Sequence, residues 1–210
     1  MKITNILRTS MIFEYSNNAR MQRAKEIGYN IKAYHGTYSD FGEFNIGDLG
    51  FHFGTLDQAH ARIDRSYAKQ DDDDGGDEGM NIKPVMLKIQ NPLHMEDVFG
   101  WDEPSDVIDG LLNTREFMQH APQKVQDELN GLLKFAESEK YDESHETKVL
   151  NHVRKIIKSV GFDSIVYSNG VEGTGDSYLV FDASQIRSIF AKFDQSKQGS
   201  GNISDSYMRP

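Results

Sequence analysis

The chain has 210 residues, room for one substantial domain but cramped for two. A net charge of −10 argues against broad, nonspecific binding to a nucleic-acid backbone, and the lack of cysteine excludes disulfides, a thiol nucleophile and thiolate metal ligands. No apolar run reaches the roughly 18 residues of a membrane span, and the first twenty residues lack the apolar stretch and cleavage site of a secretory signal, so neither insertion nor secretion is expected.

In chain order, residues 11–28 read as a helix with Met11, Phe13, Met21, Ala24 and Ile27 inward and Gly28 as its stop. Ile31 to Tyr34 form a short strand running into His35-Gly36-Thr37, and Phe41 and Phe44 pin the loop that follows. A second extended piece, Phe51-His52-Phe53, ends at Gly54. Thr55 caps a helix from Leu56 to about Tyr67, with Leu56, Ala59, Ile63 and Tyr67 on one face. The run Asp71 to Gly79, DDDDGGDEG, lacks the alternating ligands and closing Glu of an EF-hand and reads as a solvated loop.

Residues 82–90 form a strand, closed by the turn Asn91-Pro92. Helices follow at 105–120, 123–139 and 148–159, the last stopped by Gly161. FDSIVYS and SYLVFD are strands on either side of the glycine-rich loop NGVEGTGD, and SQIRSIFAKFD is a turn with a final extended piece shaped by Gln185 and Arg187. Strands cluster at both ends with helices between them, which predicts an α+β domain. The organisation is a helical lead-in over 1–30, a domain over 31–194 with a helical insert at about 105–159, and a flexible tail over 195–210.

Four stretches carry a resemblance: AYHGT, GFHFGTLDQAHAR, PVMLKIQNPL and GFDSIVYSNGVEGTGDSYLVFDASQIRS, in this order and each at a strand or strand–loop junction. Together they resemble the ADP-ribosyltransferase modules of phage polyvalent proteins and, more distantly, the catalytic domain of poly(ADP-ribose) polymerases. The resemblance runs from about residue 20 to 203. It implies an α+β fold in which two bent antiparallel sheets grip NAD between them. By the same resemblance His35 holds the adenosine ribose and Gly36 offers its backbone to the nicotinamide amide, with Thr37 adding a hydroxyl contact. His52 takes the place of the polymerase tyrosine, beside Phe53 and Gly54, and Arg62 is the nearest cation for the pyrophosphate.

The polymerase glutamate position is occupied by Ser177, ahead of Tyr178. Glu172, in the loop Asn169-Gly170-Val171-Glu172-Gly173, is therefore the candidate carboxylate, with Asp176 as its neighbour. The chemistry needs one: as the bond from ribose C1′ to nicotinamide loosens, positive charge builds on the ribose, and a carboxylate at the 2′-hydroxyl stabilises it. The resemblance implies a mono-ADP-ribosyltransferase consuming NAD without a metal. It would modify a host protein or nucleic acid in the host cytoplasm, delivered with the phage particle. Two other readings stand beside it. One is a degenerate module that binds NAD or a protein partner. The other, ranked last, is a metal-dependent hydrolase using His52, His60 and the acidic run, residues with no converging ligand spacing.

Overall fold

The computed structural model describes residues 18–38, 41–44, 48–69, 81–98, 100–191, 193, 195–197, 199–200 and 202–203. The helical positions Met11 and Phe13, the acidic run 71–79 and the chain end 204–210 lie outside these residues.

Among the described residues, seven strands and six α-helices form alternating layers. After a helix at residues 18–26 (α1) come β1 (Ile31–Thr37), β2 (Phe51–Phe53), α2 (Leu56–Lys69), β3 (Asn81–Leu87) and β4 (Pro92–His94). The helices α3 (Pro104–Asn113), α4 (Arg115–His120), α5 (Gln123–Ala136) and α6 (Glu146–Val160) precede β5 (Ser164–Ser168), β6 (Asp176–Val180) and β7 (Ile186–Ser188). One sheet is ordered β1-β3-β7 and the other β2-β6-β5-β4.

The period-two alternation of the strands sorts their side chains into separate cores. Between the sheets pack Ala33, Val85, Leu87 and Ile186 from one, Phe53 and Val180 from the other, and Phe44 from the loop between β1 and β2. On the outer face of the first sheet, Met86 meets Ala24, Tyr29, Ala191 and Phe193. On the outer face of the second, Leu93, Ile165, Tyr167 and Leu179 meet the helical layer through Val107, Leu111, Phe117, Leu150, Val153 and Ile157.

The fold is the α+β architecture with two sheets, with one refinement: the second sheet is mixed, because β4 pairs parallel to β5. A parallel pair needs a long crossover, and helices α3 to α6 supply it. The Asp163 carboxylate ties the start of β5 to the start of β4 by accepting the Gln90 and Asn91 amides at 2.8 and 3.1 Å. β3 ends at Leu87 rather than at residue 90, because Leu87 pairs with the first residues of β1 and β7 and the Lys88 amide donates to the Gln185 carbonyl at 2.9 Å instead.

Other local differences have similar causes. The helix expected over 105–120 breaks at Thr114, whose backbone is extended and whose hydroxyl donates to the Gly110 carbonyl at 2.7 Å. Leu56, expected inward, is 43% exposed, while Gln58 in the same turn is buried. Beyond residue 195 the described residues are engaged with the domain. The buried Arg187 guanidinium donates to the Lys197 carbonyl at 2.9 Å, Asn202 bridges to Glu43, and buried Ile203 donates to the Gly42 carbonyl at 3.0 Å.

Helix α2 lies directly on β1. The Tyr38 hydroxyl donates to the Ile63 carbonyl, and a Cβ built on Gly36 would sit 2.4 Å from the Ala59 carbonyl oxygen. Only a residue without a side chain permits this approach, because the opposing atom belongs to a helix backbone. Gly36→Ala should therefore push α2 off β1 and lower stability by about 1–3 kcal/mol. Urea unfolding of the variant beside the parent checks this.

Candidate active site

The two sheets touch along one line. Tyr34 and Gly54 exchange backbone hydrogen bonds at 2.9 and 3.0 Å, an isolated bridge between β1 and the end of β2. One residue further on, His35 Nδ1–H donates to the His52 carbonyl at 2.8 Å. That bond leaves Nε2 of the neutral ring as an acceptor. Around this crossing opens a cleft of about 560 Å³, within the range of small-molecule sites. His35, Gly36, His52, Phe53, Gly54, Arg62, Glu172 and Ser177 all line it. Thr37 ends β1 opposite Asn81 and is not among the lining residues. Asp176 is exposed and likewise outside the lining.

The two imidazoles keep different company. His35 packs against Phe44 and Phe53 at ring separations of 5.3 and 5.5 Å, and against Phe41. Burial pulls its pKa below the ordinary histidine value, and Lys83 and Arg62 add to this against the opposing pull of the His52 carbonyl. His52 Nδ1 bonds the Tyr167 hydroxyl at 2.9 Å, and its ring meets Trp101 edge-on at 5.5 Å. Burial, then Arg62 and His35, push its pKa down to about 3. Both rings are neutral at physiological pH.

Gln58 organises the neighbouring wall. Its Oε1 accepts the Thr55 amide at 2.7 Å while the Gln58 backbone N–H donates to Thr55 Oγ1 at 3.2 Å, a capping box that starts α2. The same side chain reaches across the cleft. Nε2 donates to the Gly175 carbonyl at 3.2 Å, and Oε1 accepts the buried Ser177 hydroxyl at 3.3 Å. Gly54 makes the room, since a Cβ there would fall 2.2 Å from Gln58 Oε1. Ser177 also hydrogen-bonds Tyr167, whose phenol is held far above its ordinary range by burial and by Asp97. A string of polar groups thus runs Gln58–Ser177–Tyr167–His52. Ser177 is a neutral member of that string.

The carboxylate that faces Arg62 in the cleft is Glu172. The loop after β5 is folded by Asn169, whose Oδ1 accepts the Val171 and Glu172 amides at 3.0 and 2.9 Å. Its Nδ2 donates to Glu172 Oε2 at 3.0 Å. The Glu172 side chain is 18% exposed, and Arg62 on α2 approaches Oε1 at 3.9 Å. Arg62 is itself 64% exposed, so this ion pair stabilises the fold little. Its relevance is to what enters between the two groups.

Sequence reasoning missed Gln58, Asn169, Tyr167 and Trp101. Thr-x-x-Gln was legible as a capping box, and Trp101 as the chain's single tryptophan. Nothing local marked Tyr167 as a cleft residue. His60 is exposed on α2, and among the described residues no group of three or more His, Cys, Asp or Glu is placed to hold a metal.

Comparison with known proteins agrees with this geometry. The family described as ADP-ribosyltransferase in polyvalent proteins matches residues 25–196. No curated protein matches. The crystal structure of an anti-CRISPR protein is similar at 15% identity, covering 72% of this chain and 89% of that one with a TM-score of 0.33, too loose a likeness to bear on function. The family match spans both sheets, the helical layer and every residue lining the cleft, and the chain belongs to the ADP-ribosyltransferases of polyvalent proteins.

Proposed function

We propose that the protein is an NAD-dependent mono-ADP-ribosyltransferase that modifies a host macromolecule, releases nicotinamide and acts in the host cytoplasm, delivered with the phage particle. The observation that carries this reading is Glu172. Its carboxylate is oriented by Asn169 inside the same cleft that holds His35 and His52.

The neutral His35 ring presents Nε2 to a ribose hydroxyl, with Nδ1 committed to the His52 carbonyl. Arg62, at the outer end of α2's cleft face, suits the pyrophosphate. Gly36 keeps its backbone available, but its bare face is taken by α2, so its absent side chain serves helix packing first. When the C1′–nicotinamide bond breaks, Glu172 stabilises the positive ribose through the 2′-hydroxyl. A neutral His52 places no repelling charge beside the cationic nicotinamide ring. Polymer synthesis is disfavoured, because His52 and Ser177 replace two of the three groups of the polymerase set.

A second reading, a degenerate module that binds NAD without turning it over, is favoured by Ser177. Its hydroxyl is buried and already shared between Gln58 and Tyr167. The two readings separate on nicotinamide release by pure protein with a cell lysate. Under the transferase reading, Glu172→Gln retains NAD binding and loses about 100- to 1,000-fold in turnover. Release that survives the substitution, or binding without any release in the parent protein, would sink it.

His35→Gln should weaken NAD binding by about 10- to 100-fold, from one lost hydrogen bond and its unsatisfied partner, measured by calorimetry. Acid should also destabilise the fold. Below pH 6.5 the unfolded chain protonates a histidine that folded His52 leaves neutral down to about pH 3, so stability present above 6.5 is lost as pH falls through that window. The expected slope is about 1 kcal/mol per pH unit, His35 acting in the same direction. Urea midpoints at pH 7, 6, 5 and 4 check the sign, and His52→Gln should flatten the dependence.

A further inference from the structure

Beyond His52 the lining of the cleft changes character. The wall there comes from residues 48–50 ahead of β2, from Asp97, Val98, Trp101 and Asp102 after β4, and from Tyr167 on β5. The Trp101 and Tyr167 rings lie 4.6 Å apart, both beside the neutral His52 ring. Trp101 Nε1 donates to Asp97 Oδ1 at 2.9 Å, so the carboxylate is held against the indole. Asp48 and Asp102 complete this wall. Among the described lining residues the one Lys or Arg is Arg62, which lies on the α2 side beside Glu172. Outside the cleft the negative field continues: burial, then Asp102, Glu103 and Asp48, hold the Glu146 carboxyl above its ordinary pKa.

We propose that this wall of aromatic rings and carboxylates is the acceptor subsite, and that the acceptor it receives is a guanidinium, the side chain of an arginine on a target protein. The inference rests on the transferase reading for the word acceptor. The cation preference rests on the wall itself. A guanidinium is flat and always charged; it stacks on aromatic faces while its N–H fork reaches carboxylates. NAD, whose pyrophosphate is anionic, is repelled by Asp48, Asp97 and Asp102 and drawn to the Arg62 side. A phosphodiester backbone is repelled in the same way.

In the transfer, the C1′–N bond of NAD breaks and its electron pair leaves with neutral nicotinamide. A guanidinium nitrogen donates its pair to C1′ and gives up one proton, which Glu172 accepts and passes to solvent. The products are an ADP-ribosylated guanidinium, nicotinamide and one proton.

Trp101 is the chain's only tryptophan, so its fluorescence reads this wall directly and without turnover. Full-length protein is titrated with agmatine, a small guanidinium cation, and with neutral N-butylurea. The expected result is a saturable emission change with agmatine alone, its midpoint raised about 3- to 30-fold in Asp48→Asn/Asp102→Asn checked for folding by circular dichroism. With NAD added, mass spectrometry should find ADP-ribosyl-agmatine and no product on a single-stranded oligonucleotide.

No saturable agmatine signal, an equal response to N-butylurea, or a midpoint unmoved by the double substitution would overturn the subsite. Displacement of agmatine by NAD would assign the wall to nicotinamide instead. NAD hydrolysis without agmatine product, or label on the oligonucleotide, would overturn the arginine acceptor and leave the transferase standing. Agmatine binding by a protein that never cleaves NAD would overturn the transferase reading, and with it the word acceptor.

Discussion

The cleft depends on a single crossing between two sheets. Tyr34 and Gly54 exchange backbone hydrogen bonds there, and His35 adds a third bond to the His52 carbonyl. Three bonds would be a weak joint by themselves, since each contributes only about 1 kcal/mol net. They hold because the sheets also share a dry core built from Phe44, Phe53, Val85, Leu87 and Val180. The consequence for the site is that His35 has no freedom of tautomer. Nδ1 carries the proton, and the ring presents a fixed acceptor to the cleft.

Burial then sets the charge of the site. Two imidazoles next to an arginine and several carboxylates could have been a mixed ionic cluster, but enclosure and the nearby cation keep both neutral. The charges that remain are one arginine and several carboxylates. Arg62 and Glu172 face each other, Asp48, Asp97 and Asp102 line the cleft with Trp101, and the Tyr167 phenol feels both Asp97 and Glu172.

Gln58 shows how one side chain serves fold and site together. It closes the capping box of α2, and the same amide ties that helix to the glycine loop and to Ser177. The loop in turn carries Asn169 and Glu172, so the position of the carboxylate is coupled to the start of a helix more than a hundred residues away in sequence. Gly36 and Gly54 are the matching small positions: one admits the helix backbone, the other the Gln58 side chain.

Strand and helix identities were determined locally, because alternation and 3.6-residue spacing are properties of neighbouring residues. The His-Gly-Thr and Phe-His-Phe-Gly strands, the helical insert and the glycine loop were legible for that reason, and so was the separation of Glu172 from the Ser177 position. The tertiary structure decided what no local pattern encodes. Thr37 ends β1 opposite Asn81, outside the residues that line the cleft. Leu56 went outward because Gln58's hydrogen bonds turn the first helical turn the other way. Trp101 and Tyr167 entered the cleft because the crossover makes β4 parallel to β5 and lays the following segment over that strand's end. Pairing across long sequence distance is set by which buried faces fit together, and that is a property of the packed whole.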